Sequence, residues 1–330
     1  MMQIPLGSGA EFDLIRRFFP PDAAAGPHVR VGAGDDCAIV EGDGLAVSAD
    51  MSVEGVHFRR EWLLPEEIGY RAAAAALSDL AAVAATPIGL LVSLALDPAE
   101  ATDLAPRVME GVRAAGERAG AVLLGGDLAR TTGPLVIDAI VIGSAPAPVL
   151  RRGARAGDSL WVTGELGAAA AAVRAWERGV EPAAAARVAF ALPTPRIAEA
   201  AWLAERGEIH ALIDISDGLA GDAGHLAAAS GVRIILDADA VPVHPTVRAE
   251  EKDPGQSLRL ALTGGEDYEL CFAAPPGSIE RLAESFTATF RLPLTRVGSV
   301  EDGAGVALRT ADGITPVPWS GHDHFASAPS

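Results

Sequence analysis

Residues 144–158, SAPAPVLRRGARAGD, gather proline, glycine and arginine between two runs that read as β-strands. Such a stretch breaks regular structure and marks a candidate domain boundary. On its N-terminal side, GLAVSAD (44–50) reads as a short buried strand, and IGLLVSLAL (88–96), AVLLGGD (121–127) and PLVIDAIVIGS (134–144) as further strands. PEEIGYRAAAAALSDLAAVAA (65–85) opens with Pro65 and two acids, a favourable helix start, and 101–118 is an amphipathic helix. On the C-terminal side, SLWVTG (159–164), VRIILDA (232–238), YELCFAA (268–274) and TRVGSV (295–300) read as strands. Helices are expected over 166–178, 196–206, 217–230 and 279–286, the third closed by Gly231 at its C-terminus. The alternation predicts an α/β (α+β) protein of two domains, 1–147 and 148–330.

The composition narrows the chemistry. A chain of 330 residues can hold two ordinary cores. Its 49% hydrophobic and 21% charged content describes a globular protein. A net charge of -18 argues against nucleic acid or an anionic membrane as the main partner. The two cysteines, Cys37 and Cys271, lie in apolar runs and read as small core residues. No signal-peptide core opens the sequence and the alanine-rich region is interrupted by Asp79 and Pro87, so the expected location is cytoplasmic. The only lysine is Lys252, in a polar loop. A Walker loop and a protein-kinase strand lysine are therefore both excluded. Any nucleotide chemistry here must rest on carboxylates, a divalent metal, arginine and backbone amides.

Carboxylates recur at the ends of apolar elements beside small residues: Asp35 and Asp36, Asp50, Asp79, Asp127, Asp214 and Asp217, and Glu266, Asp267 and Glu269. Ligand sites of α/β folds lie beyond strand ends. Clustered carboxylates supply the hard oxygen ligands that magnesium prefers. Each acid alone also has a structural reading as a turn former or N-cap. Ser216 and Asp217 could cap their helix, Asp127 could close a turn, and Ser78 could restart a helix ahead of Asp79. DISDGLAGD (214–222) brings three carboxylates together with no basic residue. Either water screens these charges or a cation sits between them; Asp222, one helical turn on, reads as a solvated surface acid.

The ordered set GAGDDCAIV, SADMSVEGVHF, IGYRAAAAALSDLAAVAATP, GGDLAR, IDISDGLAGDAGHLAAASG, LTGGEDYEL and GHDHF resembles the thiamine-monophosphate kinase family, a branch of the aminoimidazole ribonucleotide synthetase superfamily. The resemblance spans about residues 10–326. It implies transfer of the γ-phosphoryl of ATP to thiamine monophosphate, and a homodimer whose N-terminal domains share a β-barrel. It implies several Mg2+ ions on Asp35, Asp36, Ser48, the Ala49 backbone, Asp50, Asp79, Asp127, Asp214 and Asp217. ATP contacts fall on Gly126, Asp127, Arg151 and Ser216, and vitamin contacts on His57, Glu266 and His322. Arg151 and His57 also have readings as a linker cation and a loop filler. Two positions depart from the family: Ala49 replaces a threonine, and His322 replaces an aromatic residue, with Trp319 three residues earlier. Another ATP-dependent member of the superfamily, or a non-catalytic nucleotide or metal binder, is the alternative reading.

Overall fold

The computed structural model describes residues 29–31, 38–40 and 44–317. The N-terminal half runs β1 (Val29–Val31), β2 (Ala38–Val40), β3 (Leu45–Val53), α1 (Pro65–Ala82), β4 (Thr86–Leu96), α2 (Ala101–Ala119), β5 (Val122–Arg130) and β6 (Val136–Ser144). Its six strands lie in the order β1-β2-β3-β6-β4-β5, antiparallel except for the β4–β5 pair. β6 alternates buried and half-buried residues along its length, the pattern of a strand with one face on a core. Helices α1 and α2 cover that face. β5 forms the sheet edge and exposes Val122, Leu124 and Leu128.

Helix α1 begins as its sequence predicts. Pro65 takes the first turn, and the Glu67 carboxylate accepts from the Leu64 amide at 2.8 Å. The helix is continuous through Ser78 and Asp79, so no restart occurs there. Its alanines and one glycine let α2 approach closely. A Cβ on Gly69 would lie 1.8 Å from the Val108 carbonyl oxygen, and one on Gly111 1.8 Å from that of Glu66. The helix ends as Ala84 enters the left-handed region, φ 52°.

The C-terminal half runs β7 (Ser159–Thr163), α3 (Ala168–Glu177), α4 (Ala184–Ala191), α5 (Ile197–Arg206), β8 (Ala211–Asp214), α6 (Leu219–Ser230), β9 (Arg233–Asp237), α7 (Pro245–Glu250), α8 (Pro254–Thr263), β10 (Leu270–Ala274), α9 (Ala283–Phe290), β11 (Leu294–Glu301), β12 (Gly305–Thr310) and β13 (Gly313–Pro316). Seven strands lie in the order β13-β12-β9-β11-β7-β10-β8, with only β9 and β12 parallel. β7, β8 and β10 are buried throughout, consistent with their unbroken apolar runs. The fold is thus mixed α/β in two parts, as expected.

One core is continuous between the halves, joining Leu77 and Leu80 of α1 to Leu160 and Ile213 of the second sheet. α1 also crosses the boundary with polar groups. The Arg187 guanidinium donates twice to the Glu67 carboxylate, both at 2.8 Å. Among the described residues no helix is long and apolar enough to cross a membrane.

Candidate active site

A cavity of about 860 Å³ opens between the two halves. α1 supplies Arg71, Ala75 and Asp79 to its wall, three positions at four-residue spacing and so on one helical stripe. β3 supplies Ala49, Asp50 and Ser52, and the loop after it His57, Arg59 and Trp62. From the C-terminal half come Asp214 at the end of β8, Ser216 and Asp217 just after it, and Gly265, Glu266 and Tyr268 after α8. Carboxylates distant in sequence therefore meet at one place: Asp50, Asp79, Asp214, Asp217 and Glu266.

Each is held by the fold. Asp50 lies inside β3, which runs three residues past it to Val53. The expected strand ends at Asp50 because a charged residue reads as a terminus; here the strand continues beneath the cavity. Burial raises the Asp50 pKa, with Glu266 and Asp138 pushing the same way and Arg71 opposing. The Ser48 hydroxyl donates to Asp79 Oδ2 at 2.5 Å. Asp214 ends β8 in the interior and accepts from the Ser78 hydroxyl at 2.5 Å. Ser78 thus joins α1 to the second sheet.

Two loops close the C-terminal wall and are stitched together by backbone. The amides of Ile215 and Tyr268 donate to the carbonyls of Glu269 and Ile215 at 2.7 and 2.8 Å, and Glu266 N donates to Ser216 O at 2.7 Å. The contact needs glycine: a Cβ on Gly265, at φ +66°, would stand 2.6 Å from the Ser216 oxygen. Glu266 and Tyr268 also take left-handed backbone, φ 61° and 50°. Such residues cost on the order of 1–3 kcal/mol each and persist where neighbours over-determine them. The stitching supplies that constraint and aims Glu266 into the cavity. The other two acids of GGEDYE turn elsewhere. Asp267 accepts from the Gly167 amide, and Glu269 accepts from Thr163 Oγ1 at 2.6 Å and from the Arg196 guanidinium.

Arg71 balances this charge. It is buried on α1, donates from Nη1 to the Phe190 carbonyl at 2.8 Å and from Nη2 to Glu266 Oε1, and lies 3.8 Å from the Phe190 ring centroid. His57 Nδ1 accepts from the Val53 amide at 3.0 Å, which in the neutral ring leaves the proton on Nε2.

Asp222 corrects the sequence reading. It is buried, not solvated, and accepts from the Asp217 amide at 3.1 Å. Burial chiefly raises its pKa well above the usual range, with Asp217 and Asp214 adding to the rise and Arg151 opposing it. The helix around it has apolar residues on every side, so its sequence offers no polar face by which to judge where Asp222 points. One carboxylate oxygen each from Asp217 and Asp222 and a ring nitrogen of His225 lie within 4.8 Å of one another.

Other expected residues fall outside the cavity wall. Gly126 and Asp127 sit on the exposed edge strand β5, where Asp127 Oδ1 accepts from the Leu128 amide at 2.8 Å. Arg151 is held through its carbonyl, which accepts from Ser230 Oγ at 3.0 Å. Asp35, Asp36, Cys37, Trp319 and His322 lie outside the described residues. Cys271 is buried with its thiol pKa raised by burial, an inert core residue as expected. The sequence reading passed over Arg71, Arg59 and Trp62. For Arg71 a signal existed, since an arginine eight residues before Asp79 in an alanine helix must share its face. For Trp62, in a loop, there was none.

The donor set on the wall consists of carboxylate and hydroxyl oxygens, which fits a hard divalent cation such as Mg2+. Residues 34–145 match the N-terminal domain model of the AIR synthase related proteins, and residues 155–310 the C-terminal one. The thiamine-monophosphate kinase of Salmonella typhimurium is 35% identical over 96% of this chain and 98% of its own. That of Rhodopirellula baltica is 34% identical over 86% and 88%. The solved structure of AaThiL complexed with AMPPCP and TMP is 31% identical, covers 95% of this chain and 96% of that one, and superposes with a TM-score of 0.81.

Proposed function

The chain belongs to the thiamine-monophosphate kinases, within the AIR synthase related proteins, and from that membership we propose that it transfers the γ-phosphoryl of ATP directly to the phosphate of thiamine monophosphate. A phosphate oxygen of the acceptor attacks the γ-phosphorus, the new O–P bond forms, and the bond to the β-γ bridging oxygen breaks. The products are thiamine diphosphate and ADP. The observation that carries the reading is the convergence of Asp50, Asp79, Asp214 and Asp217, from both halves of the chain, on one cavity.

The acceptor needs no general base, because a phosphate monoester has a second pKa near 6 and is mostly ionised at neutral pH. What remains is charge repulsion and alignment. Two unit charges 4 Å apart interact by about 4 kcal/mol at an effective dielectric near 20. Mg2+ ions, when bound, offset that repulsion between the two polyanions. Asp50, Asp79, Asp214 and Asp217, with Ser48 and the Ala49 carbonyl, would hold them, and Asp35, Asp36 and Asp127 would complete the set implied by the family. Positioning then carries most of the catalysis. The Ser216 loop and Arg151 serve the nucleotide, and His57, Glu266 and His322 the vitamin.

The reading extends to a homodimer built through the 1–147 half, with 148–330 completing the site. The exposed apolar side chains of the edge strand β5 support it. The deciding assay incubates the protein with MgATP and thiamine monophosphate and follows thiamine diphosphate and ADP. Product should appear in equal amounts and EDTA should stop it. ADP release indifferent to the vitamin phosphate would point to another acceptor.

A further inference from the structure

Of the aromatic rings that line the cavity, two carry an arginine each. The Arg71 guanidinium lies 3.8 Å from the centroid of Phe190, and the Arg59 guanidinium 4.8 Å from that of Trp62. The two pairs differ in how firmly they are held. Arg71 is 5% exposed and fixed by hydrogen bonds to the Phe190 carbonyl and Glu266. Arg59 is 48% exposed, and its ion pair with Glu61 is long, 4.0 Å. The Phe190 face is therefore permanently covered, whereas the cover on Trp62 is free to leave.

Trp62 itself is fixed. Its indole stacks on Trp176 at 5.1 Å and 9°, and the Phe190 edge meets it at 6.3 Å and 73°. A 5.1 Å stack leaves no room for a guanidinium, so Arg59 covers the opposite face. That face looks into the same cavity as His57 and Glu266. It is a flat, preorganised indole surface, the aromatic ring that attracts cations most strongly. A planar cation already rests on it, in a cavity whose wall is rich in carboxylates.

We propose that this face of Trp62 seats the cationic aromatic ring of the acceptor, in the place now taken by the Arg59 guanidinium. The inference rests on the reading of thiamine monophosphate as acceptor, whose thiazolium ring is planar and positively charged. It makes Trp62 a specificity-determining residue, with Trp176 and Phe190 holding its plane. Binding exchanges one planar cation for another, and Arg59 swings into solvent or toward the substrate phosphate.

The test uses the full chain, without ATP, titrated with thiamine monophosphate while tryptophan fluorescence is followed. Contact with the thiazolium should quench the wild-type signal, and Trp62→Phe, which keeps a ring in the stack, should lose most of that quench. In steady-state assays Trp62→Leu should raise KM for thiamine monophosphate about tenfold, while KM for ATP changes by less than about twofold. The phosphate of deazathiamine, a neutral isostere, should bind wild type and Trp62→Leu with similar affinity. If Trp62→Leu weakens the fold, the Trp62→Phe titration carries the test. Undiminished quenching in Trp62→Phe, or equal losses for the charged and neutral ligands, would overturn the proposal. A wild-type protein that turns over no thiamine monophosphate would instead remove the reading on which it rests.

Discussion

The Arg71 guanidinium on α1 donates to the Glu266 carboxylate in the C-terminal half, an ion pair that spans the domain boundary inside the cavity. Three residues of this helix reach across with polar groups: Glu67 to Arg187, Arg71 to Glu266 and the Phe190 carbonyl, and Ser78 to Asp214. Helix α1 thus sets the spacing between the walls that carry Asp50 and Asp217. Burial raises the Asp50 pKa, Arg71 opposes that rise and Glu266 adds to it.

Replacing Arg71 by methionine should therefore act on both fold and substrate. Breaking a buried pair from one side costs about 3–5 kcal/mol, and Glu266, at 27% exposure, places the loss toward the lower end. The variant should melt at lower temperature and show a raised KM for thiamine monophosphate. Arg71→Lys should rescue only partly, because one ammonium cannot serve the Phe190 carbonyl, the Glu266 carboxylate and the ring face together. Full rescue by lysine in melting and KM would show that charge alone matters there.

Asp50→Asn and Asp217→Asn should separate activity from stability. If both carboxylates hold metal, turnover should fall by orders of magnitude. Stability should not fall with it. The Asp50 carboxyl is raised by burial, so its ionised form is a burden on the metal-free fold at neutral pH, and a neutral amide relieves it. Thermal melts in EDTA should show Asp50→Asn no less stable than wild type. Near-normal turnover in both variants would sink the metal assignment.

Much of this site could be read from the chain before its structure. Pro65 with two acids announced α1, Gly231 closed α6 at φ 66° as a left-handed cap, and the unbroken apolar runs became the buried strands β7 and β10. Five of the acids beside small residues share the cavity: Asp50, Asp79, Asp214, Asp217 and Glu266. What local pattern could not supply was direction. Asp222 sits in a helix with no polar face, so nothing in the sequence distinguished inward from outward. Asp50 looked like a strand terminus because charge inside a strand is read as its end. The spacing from Asp79 placed Arg71 on the cavity face of α1, but its partners Glu266 and Phe190, and the partners of Trp62, Phe190 and Trp176, lie more than 100 residues away, and such pairing leaves no local trace. Helix α8 was legible and missed: Asp253 caps it by accepting from Gly255 N at 3.0 Å, and Pro254 takes its first turn.

Gly111→Ala tests the packing that fixes α1. The added methyl would stand 1.8 Å from the Glu66 carbonyl oxygen, backbone that cannot swing aside. Alanine raises helix propensity by about 1 kcal/mol, but the forced separation of α1 and α2 should outweigh it, with overpacking costs of about 1–3 kcal/mol. Urea unfolding should show a net loss, and kcat should fall with it because α1 carries Asp79. A gain in stability would mean that the helices separate without strain.

Asp267 offers a pH test at a carboxylate outside the cavity lining. Its carboxylate accepts from the Gly167 amide, yet burial, reinforced by Glu269 and Glu266, raises its pKa well above the usual aspartate range. The folded protein therefore holds this proton more tightly than the unfolded chain. Its contribution is fully favourable below the unfolded value of about 3.9 and is lost as pH rises through the higher folded value. Asp267→Asn keeps an oxygen for the Gly167 amide and carries no charge at any pH. At pH 8, in EDTA, the variant should be more stable than wild type by on the order of 1–2 kcal/mol, the scale of one poorly compensated buried charge. The advantage should shrink as pH is lowered toward 4, where wild-type Asp267 is itself neutral. All other titrating groups are common to both proteins, so the difference between their urea midpoints isolates this one. A difference that stays constant from pH 4 to 8 would mean that Asp267 does not change its charge on that interval, and that the Gly167 amide outweighs its burial.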